Sequence, residues 1–215
     1  MADKNKSFEG ALIVVDVQND FCPGGALAVE YGDTIIPRIN SLMRLFPLVV
    51  ATKDWHPAGH VSFAGAHSGK NPGDTVKSGG IDQQLWPDHC IQGTRGAAFH
   101  DDLDTRPVNL ILHKGTKGDL DSYSAFFEND HETATGLESY LKGLGFERVY
   151  VVGLAEDVCV RFTAEDAASL GFSTYVIADC TRGVNIPEGS LSAARKSMQS
   201  KSIGYIQSAD LRQAR

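Results

Sequence analysis

Short apolar runs recur along the chain, and between several of them the apolar positions fall every third or fourth residue. ALIVVDV (11–17) reads as a buried strand, broken by Asp16 near its C-terminal end. TIIPRINSLMRLF (34–46) has helical spacing, with Pro37 tolerated in the first turn. PLVVATKDW (47–55) is a second strand finishing in Asp54, and VNLILHKG (108–115) a third ending at Lys114. ETATGLESYLKGLG (132–145) predicts a helix stopped by glycine. In RVYVVGLAEDVCVRFTAEDAASLG (148–171), Val149 to Val152 form a buried parallel strand that Gly153 ends. The spacing turns helical from about Asp157, with Val158, Phe162, Ala167, Ala168 and Leu170 apolar. STYVIADC (173–180), a helix near 188–200 and the short strand SIGYIQ (202–207) complete the series. Residues 56–107 are weakly periodic and rich in Gly, Pro and His, and a loop of that length is usually functional.

Six strands alternating with helices predict an α/β fold: three layers, α-β-α, around a mainly parallel six-stranded sheet. With no repeat or linker in view, residues 1–215 are expected to form one domain. The net charge of −7 argues against a nucleic-acid surface or a basic membrane-binding face. No apolar run approaches the roughly 18–20 residues that span a bilayer, and MADKNKSFEG lacks a signal peptide's apolar core. Four cysteines without CxxC spacing indicate neither a disulfide framework nor a cysteine zinc site. A reducing, cytoplasmic enzyme is the default class.

Cys159 falls where a strand hands over to a helix. The unpaired N–H groups and positive dipole end of a helix's first turn favour thiolate over thiol, which makes Cys159 a candidate nucleophile. The competing reading is a small buried packing residue. Asp16, Lys114 and Cys159 all sit at C-terminal strand ends, where open parallel sheets place their active sites. Cys159 would attack a carbonyl carbon, Asp16 would move protons, and Lys114 would favour the thiolate or orient the carboxylate. A turn-forming Asp16 and a solvated Lys114 are the alternatives.

TKDWHPAGHVSF places Asp54, His56 and His60 within seven residues, and WPDHC adds His89. Carboxylate oxygen and imidazole nitrogen suit zinc, iron(II) or manganese, and Asp54 and His56 share a face of an extended segment. Three such ligands would leave an open, catalytic type of site. His60 is the least secure of the four, and exposed loop histidines are the competing account.

With these residues in view, the chain resembles the nicotinamidase/pyrazinamidase family, within the isochorismatase-like cysteine hydrolases, from about residue 11 to residue 207. The carrying motifs are VVDVQNDFCPGGAL, TKDWHPAGHVSF, WPDHCIQGT, HKGT followed by DSYSAF, and GLAEDVCV. The resemblance implies an isochorismatase-like hydrolase fold and a catalytic triad of Asp16, Lys114 and Cys159. It implies Asp54, His56 and His89 as ligands of one divalent metal, zinc foremost, with His60 a ligand only in some members. It further implies a cis bond between Leu154 and Ala155, an oxyanion hole from the N–H groups of Ala155 and Cys159, and aromatic walls from Phe21, Trp86 and Tyr123. The implied reaction converts nicotinamide to nicotinate and ammonia through a thioester on Cys159, serving NAD salvage, with pyrazinamide as a related substrate. Where the family commonly has A-T-D-[YH]-C-V, this chain has Ala155-Glu156-Asp157-Val158-Cys159-Val160. Glu156 and Val158 are therefore expected to alter the pocket's rim. Residues 116–131 are polar and suggest a flap.

Three rivals stand beside this reading. Another amide hydrolase of the superfamily, isochorismatase-like or acting on ureido amides, is the first, and Asp54, His56 and His89 discriminate because the isochorismatase branch lacks that metal triad. A non-catalytic binding protein on the same fold would tend to have lost part of the site. A zinc-stabilised structural module leaves Cys159 unexplained. The expected partner is the small-molecule substrate, with no nucleic acid and no membrane, and homo-oligomerisation stays open.

Overall fold

Five consecutive apolar residues, Ala11–Val15, have no polar side chain to spare for solvent, so the strand they form (β1) is buried on both faces. The computed structural model describes residues 8–212. In chain order the elements after β1 are α1 (Ile36–Met43), β2 (Leu48–Asp54), β3 (Thr75–Ser78), β4 (Ile81–Gln84), β5 (Leu110–Lys114), α2 (Leu137–Gly143), β6 (Arg148–Leu154), α3 (Arg161–Ser169), β7 (Ser173–Arg182), α4 (Ser190–Ser200) and β8 (Gly204–Ile206).

Six of the strands form one sheet in the order β5-β2-β1-β6-β7-β8, every pairing parallel. The predicted six-stranded α/β architecture is therefore present. Alternation along each strand divides the core in two. Leu12, Val14, Val49 and Val152 face α1 through Ile36, Ile39 and Met43. Ala11, Ile13, Val151 and Val50 face Leu141 of α2, Ala164 and Ala167 of α3 and Met198 of α4. Burying each branched side chain contributes about 2 kcal/mol, which orders helices too short to persist alone.

From β1 the chain builds outward to β2 and β5 on one side, and β6 leads to β7 and β8 on the other. The order reverses between β1 and β6, and a crevice opens at the carboxyl ends of strands there. Gly153 permits the closeness of that pair. Its φ is +112°, and a Cβ there would overlap the Val15 carbonyl oxygen.

Element limits differ from expectation in instructive places. The helix expected over 132–145 is confined to α2 because residues 128–135 form a self-bonded loop. Asp130 accepts hydrogen bonds from the Glu132 and Thr133 N–H groups, and Thr135 Oγ1 donates to the Ala125 carbonyl. The 56–107 segment is not structureless either, since β3 and β4 make an antiparallel hairpin turned by Gly79 and Gly80. Among the described residues, no helix is long and apolar enough to cross a membrane.

Candidate active site

Asp16 follows β1 with φ +49°, a backbone turn that lifts it out of the sheet at its carboxyl edge. Its neighbour is Thr52 of β2. The Asp16 N–H donates to Thr52 Oγ1 (3.2 Å), whose hydroxyl donates in turn to Asp16 Oδ1 (2.6 Å). Lys114, the last residue of β5, is fully buried. Its ammonium lies 2.8 Å from Asp16 Oδ2, pairs with Asp54 Oδ1, donates to the Ser122 carbonyl at 3.1 Å and reaches Cys159 Sγ at 3.5 Å. The three predicted residues thus converge, with Asp54 as a fourth member. Side-chain donor atoms of Asp16, Asp54 and Cys159 all lie within 4.8 Å of one another.

Two carboxylates and one ammonium sit in this dry space. Burial raises the Asp16 pKa to about 6, and the Asp54 charge adds to that while Lys114 opposes it. Burial works against the charge on Lys114, but Asp16 and Asp54 outweigh it and hold the ammonium protonated. Asp16 Oδ2 has the Lys114 ammonium as ion-pair partner but no hydrogen-bond donor in good geometry.

Cys159 departs from the sequence expectation in two ways. It does not occupy an α-helical first turn. Residues Glu156–Val160 form a π-helical turn ahead of α3, in which the Val160 N–H reaches back to the Ala155 carbonyl at 3.1 Å. Nor is the thiolate favoured at rest, because burial pushes the thiol pKa up further than Lys114 draws it down. A neutral thiol beside a carboxylate is the resting arrangement. The Leu154–Ala155 peptide bond is cis, as expected.

The cleft above this cluster is bordered by Phe21, Trp86 and Tyr123, the three expected aromatic walls. Trp86 Nε1–H donates to the Tyr123 hydroxyl at 3.1 Å, tying two walls together. Ala155, Val158 and Cys159 line the same cleft, with Leu27 and Val184 completing its apolar side. Val158 is at the rim as expected, but Glu156 is not. Its side chain is buried on the far side of the turn, against Thr181, Arg195 and Tyr205.

Asp54, His56 and His89 present one ligand atom each within 4.8 Å of one another. The His56 Nδ1 lies 2.9 Å from the Gly115 carbonyl and the His89 Nδ1 2.8 Å from the Pro87 carbonyl. A carbonyl can only accept, so both rings carry a proton on Nδ1, and in the neutral form each turns an Nε2 lone pair toward Asp54 Oδ2, at 3.7 and 3.8 Å. Two lone pairs and a carboxylate oxygen face one another at distances too long for hydrogen bonds. That donor set fits a divalent cation. His60 stacks on His56 at 4.2 Å and belongs to an overlapping group with His56 and Asp121, its Nδ1 2.7 Å from Ser62 Oγ.

Sequence reasoning missed Asp121, Thr52 and Gln83. Asp121 lines the cleft and accepts a hydrogen bond from Gln83 Nε2 at 2.9 Å. It stands in the DSYSAF motif, which was the available signal. Asp20 secures the first loop by accepting from the Cys90 and Ala26 N–H groups.

The isochorismatase domain family matches residues 10–210. The nicotinamidase of Acinetobacter baylyi is 48% identical over 201 residues, which cover 94% of this chain and 94% of that protein. The solved nicotinamidase/pyrazinamidase of Acinetobacter baumanii is 52% identical with a TM-score of 0.92, covering 96% of this chain and 98% of its own. The pyrazinamidase of Pyrococcus horikoshii, solved in complex with zinc, is 40% identical with a TM-score of 0.75, covering 93% and 99%. With the strand-end cluster, the histidine–carboxylate set and the aromatic cleft already in one crevice, the chain belongs to the nicotinamidase/pyrazinamidase family of isochorismatase-like hydrolases.

Proposed function

We infer that the protein hydrolyses nicotinamide to nicotinate and ammonia, with Cys159 as nucleophile and Asp16 and Lys114 as the other members of its triad. The observation that carries this reading is the convergence of Asp16, Lys114 and Cys159 at the base of an aromatic cleft. The aromatic faces of Phe21, Trp86 and Tyr123 hold a flat ring and exclude water from the carboxamide.

Asp16 takes the Sγ proton as sulfur adds to the carboxamide carbon. Its raised pKa, closer to neutrality than an ordinary carboxylate's, suits it to accept and return that proton. The N–H groups of Ala155 and Cys159 stabilise the oxyanion, and Lys114 holds Asp16 in place. Asp16 then gives the proton to the departing nitrogen, ammonia leaves, and the acyl group remains on Cys159 as a thioester. Asp16 next deprotonates water, which adds to the thioester carbonyl. Nicotinate leaves and sulfur recovers its proton.

Asp54, His56 and His89 would hold one divalent ion, with His60 the least certain ligand. Zinc is favoured because the Pyrococcus horikoshii relative was solved with it, while iron and manganese also suit these donors. Such an ion supplies Lewis-acid attraction for a ring nitrogen's lone pair, which orients the ring. Pyrazinamide has a nitrogen at the same ring distance from its carboxamide and is the natural second substrate. Four free cysteines fit a reducing, cytoplasmic setting, and residues 1–215 would act as one domain in NAD salvage.

The test is ammonia release from nicotinamide before chelation, after chelation and after metal add-back, alongside Cys159→Ala. Chelation should stop release and metal should restore it. The Cys159→Ala protein should keep the far-UV spectrum and release nothing. Turnover by Cys159→Ala, or none by the metal-loaded native protein, overturns the reading.

A further inference from the structure

The π-helical turn that carries Cys159 is held from behind by two consecutive acidic side chains. Asp157 accepts hydrogen bonds from the N–H groups of Val184 and Asn185, both at 2.9 Å, and from the Ser190 hydroxyl. Those partners fasten the turn to the segment that follows β7 and to the first residue of α4. Glu156 makes a second attachment. Its carboxylate receives both arms of the Arg195 guanidinium, Nε at 2.7 Å and Nη2 at 3.1 Å, from α4. The Tyr205 hydroxyl of β8 donates to it at 2.6 Å and Thr181 Oγ1 of β7 at 3.1 Å. The Arg195 guanidinium also lies over the Tyr205 ring, 5.6 Å from its centroid. Glu156 is 1% exposed, and four donors from three elements surround it.

Glu156 directly follows Ala155 and stands three residues before Cys159. Ala155, Val158 and Cys159 line the cleft, while Glu156 points away from it. The π geometry spaces the turn one residue wider than an α-helix. A planar guanidinium fork fixes a carboxylate in distance and angle, which a single hydroxyl at this position could not do.

We propose that Glu156, clamped by Arg195 and Tyr205, is a positioning residue for the reaction, fixing the π-turn so that Cys159 Sγ meets the carboxamide carbon while the Ala155 N–H meets its oxygen. The proposal rests on the reading of Cys159 as nucleophile. It makes α4 and β8, at the sheet's far edge, parts of the catalytic machinery without contact to substrate.

The test compares Glu156→Gln, Arg195→Met and Arg195→Lys in the metal-loaded protein, under conditions where far-UV spectra show each fully folded. Two quantities are read: kcat and KM for nicotinamide, and amide hydrogen exchange over 155–160. Arg195→Met is expected to lower kcat about tenfold with KM within about twofold, since misplaced reacting groups lose rate rather than binding. Exchange over 155–160 should quicken about tenfold while β1 stays protected. Arg195→Lys should recover part of both effects, and Glu156→Gln combined with Arg195→Met should be no worse than Arg195→Met alone. Unchanged exchange over 155–160 overturns the proposal, as does an unchanged kcat with only a lowered unfolding midpoint. If the native protein does not act on nicotinamide, the functional reading fails, and the exchange measurement alone decides whether Glu156 holds the turn.

Discussion

Lys114 places a positive charge where water does not reach, and the two carboxylates around it are the reason it stays there. Removing its ammonium would leave Asp16 and Asp54 facing each other unpaired, a loss of about 3–5 kcal/mol in comparable buried pairs. Gly115, the next residue, serves the other half of the site. Its carbonyl orients His56, its φ is +60°, and a Cβ there would overlap the His56 ring. Gly115→Ala should therefore weaken metal binding by about ten- to a hundredfold, by displacing the His56 ring without replacing any ligand. Elemental analysis after dialysis against graded chelator measures this, and native-like retention would remove His56 from the metal set. At this scale the sequence was informative wherever a residue stood at a strand end, as Asp16, Lys114 and Cys159 do. It was silent on Thr52, because its partner lies 36 residues away and no spacing rule connects them, and it marked Asp121 only through the DSYSAF motif. The resting protonation of Cys159 was also misread. The helix-dipole argument took no account of burial, which dominates here.

Among the elements, the helix–strand alternation was legible and the exceptions have local causes. The β3–β4 hairpin lacks an apolar stripe because it lies over the surface, and only the glycine pair at 79–80 signalled it. Helix α3 docks on α4 partly through Glu165, which bonds Arg161 Nε and Lys201 Nζ at 2.8 Å each. Burial raises the Glu165 pKa, but the bonds from Lys201, Ser197 and Arg161 outweigh it and hold it below the ordinary 4.5. A depressed carboxyl pKa gives stability that is present above 4.5 and lost as pH falls through the folded value. Glu165→Gln should cost about 1 kcal/mol at pH 7, a modest figure because Lys201 is half exposed to screening solvent. Urea midpoints of the two proteins should stay apart from pH 7 to 5 and approach each other below 4.5. A gap that widens on acidification would contradict the assignment.

At the scale of the molecule, the sheet's order explains why so much chemistry arises from residues distant in sequence. β5, β2, β1 and β6 are consecutive in the sheet, and in that order their ends supply Lys114, Asp54, Asp16 and the turn bearing Cys159. No single strand, and no pair of neighbours, carries a functioning fragment of the site. With the proposed catalytic residues, catalysis is a cooperative property of four adjacent strands, and ammonia release should report on whether the whole centre of the sheet is zipped. In graded denaturant, activity and far-UV ellipticity should vanish at one midpoint. Activity lost earlier would identify the 56–107 segment, bearing Trp86 and His89, as a separate cooperative unit that detaches while the sheet persists.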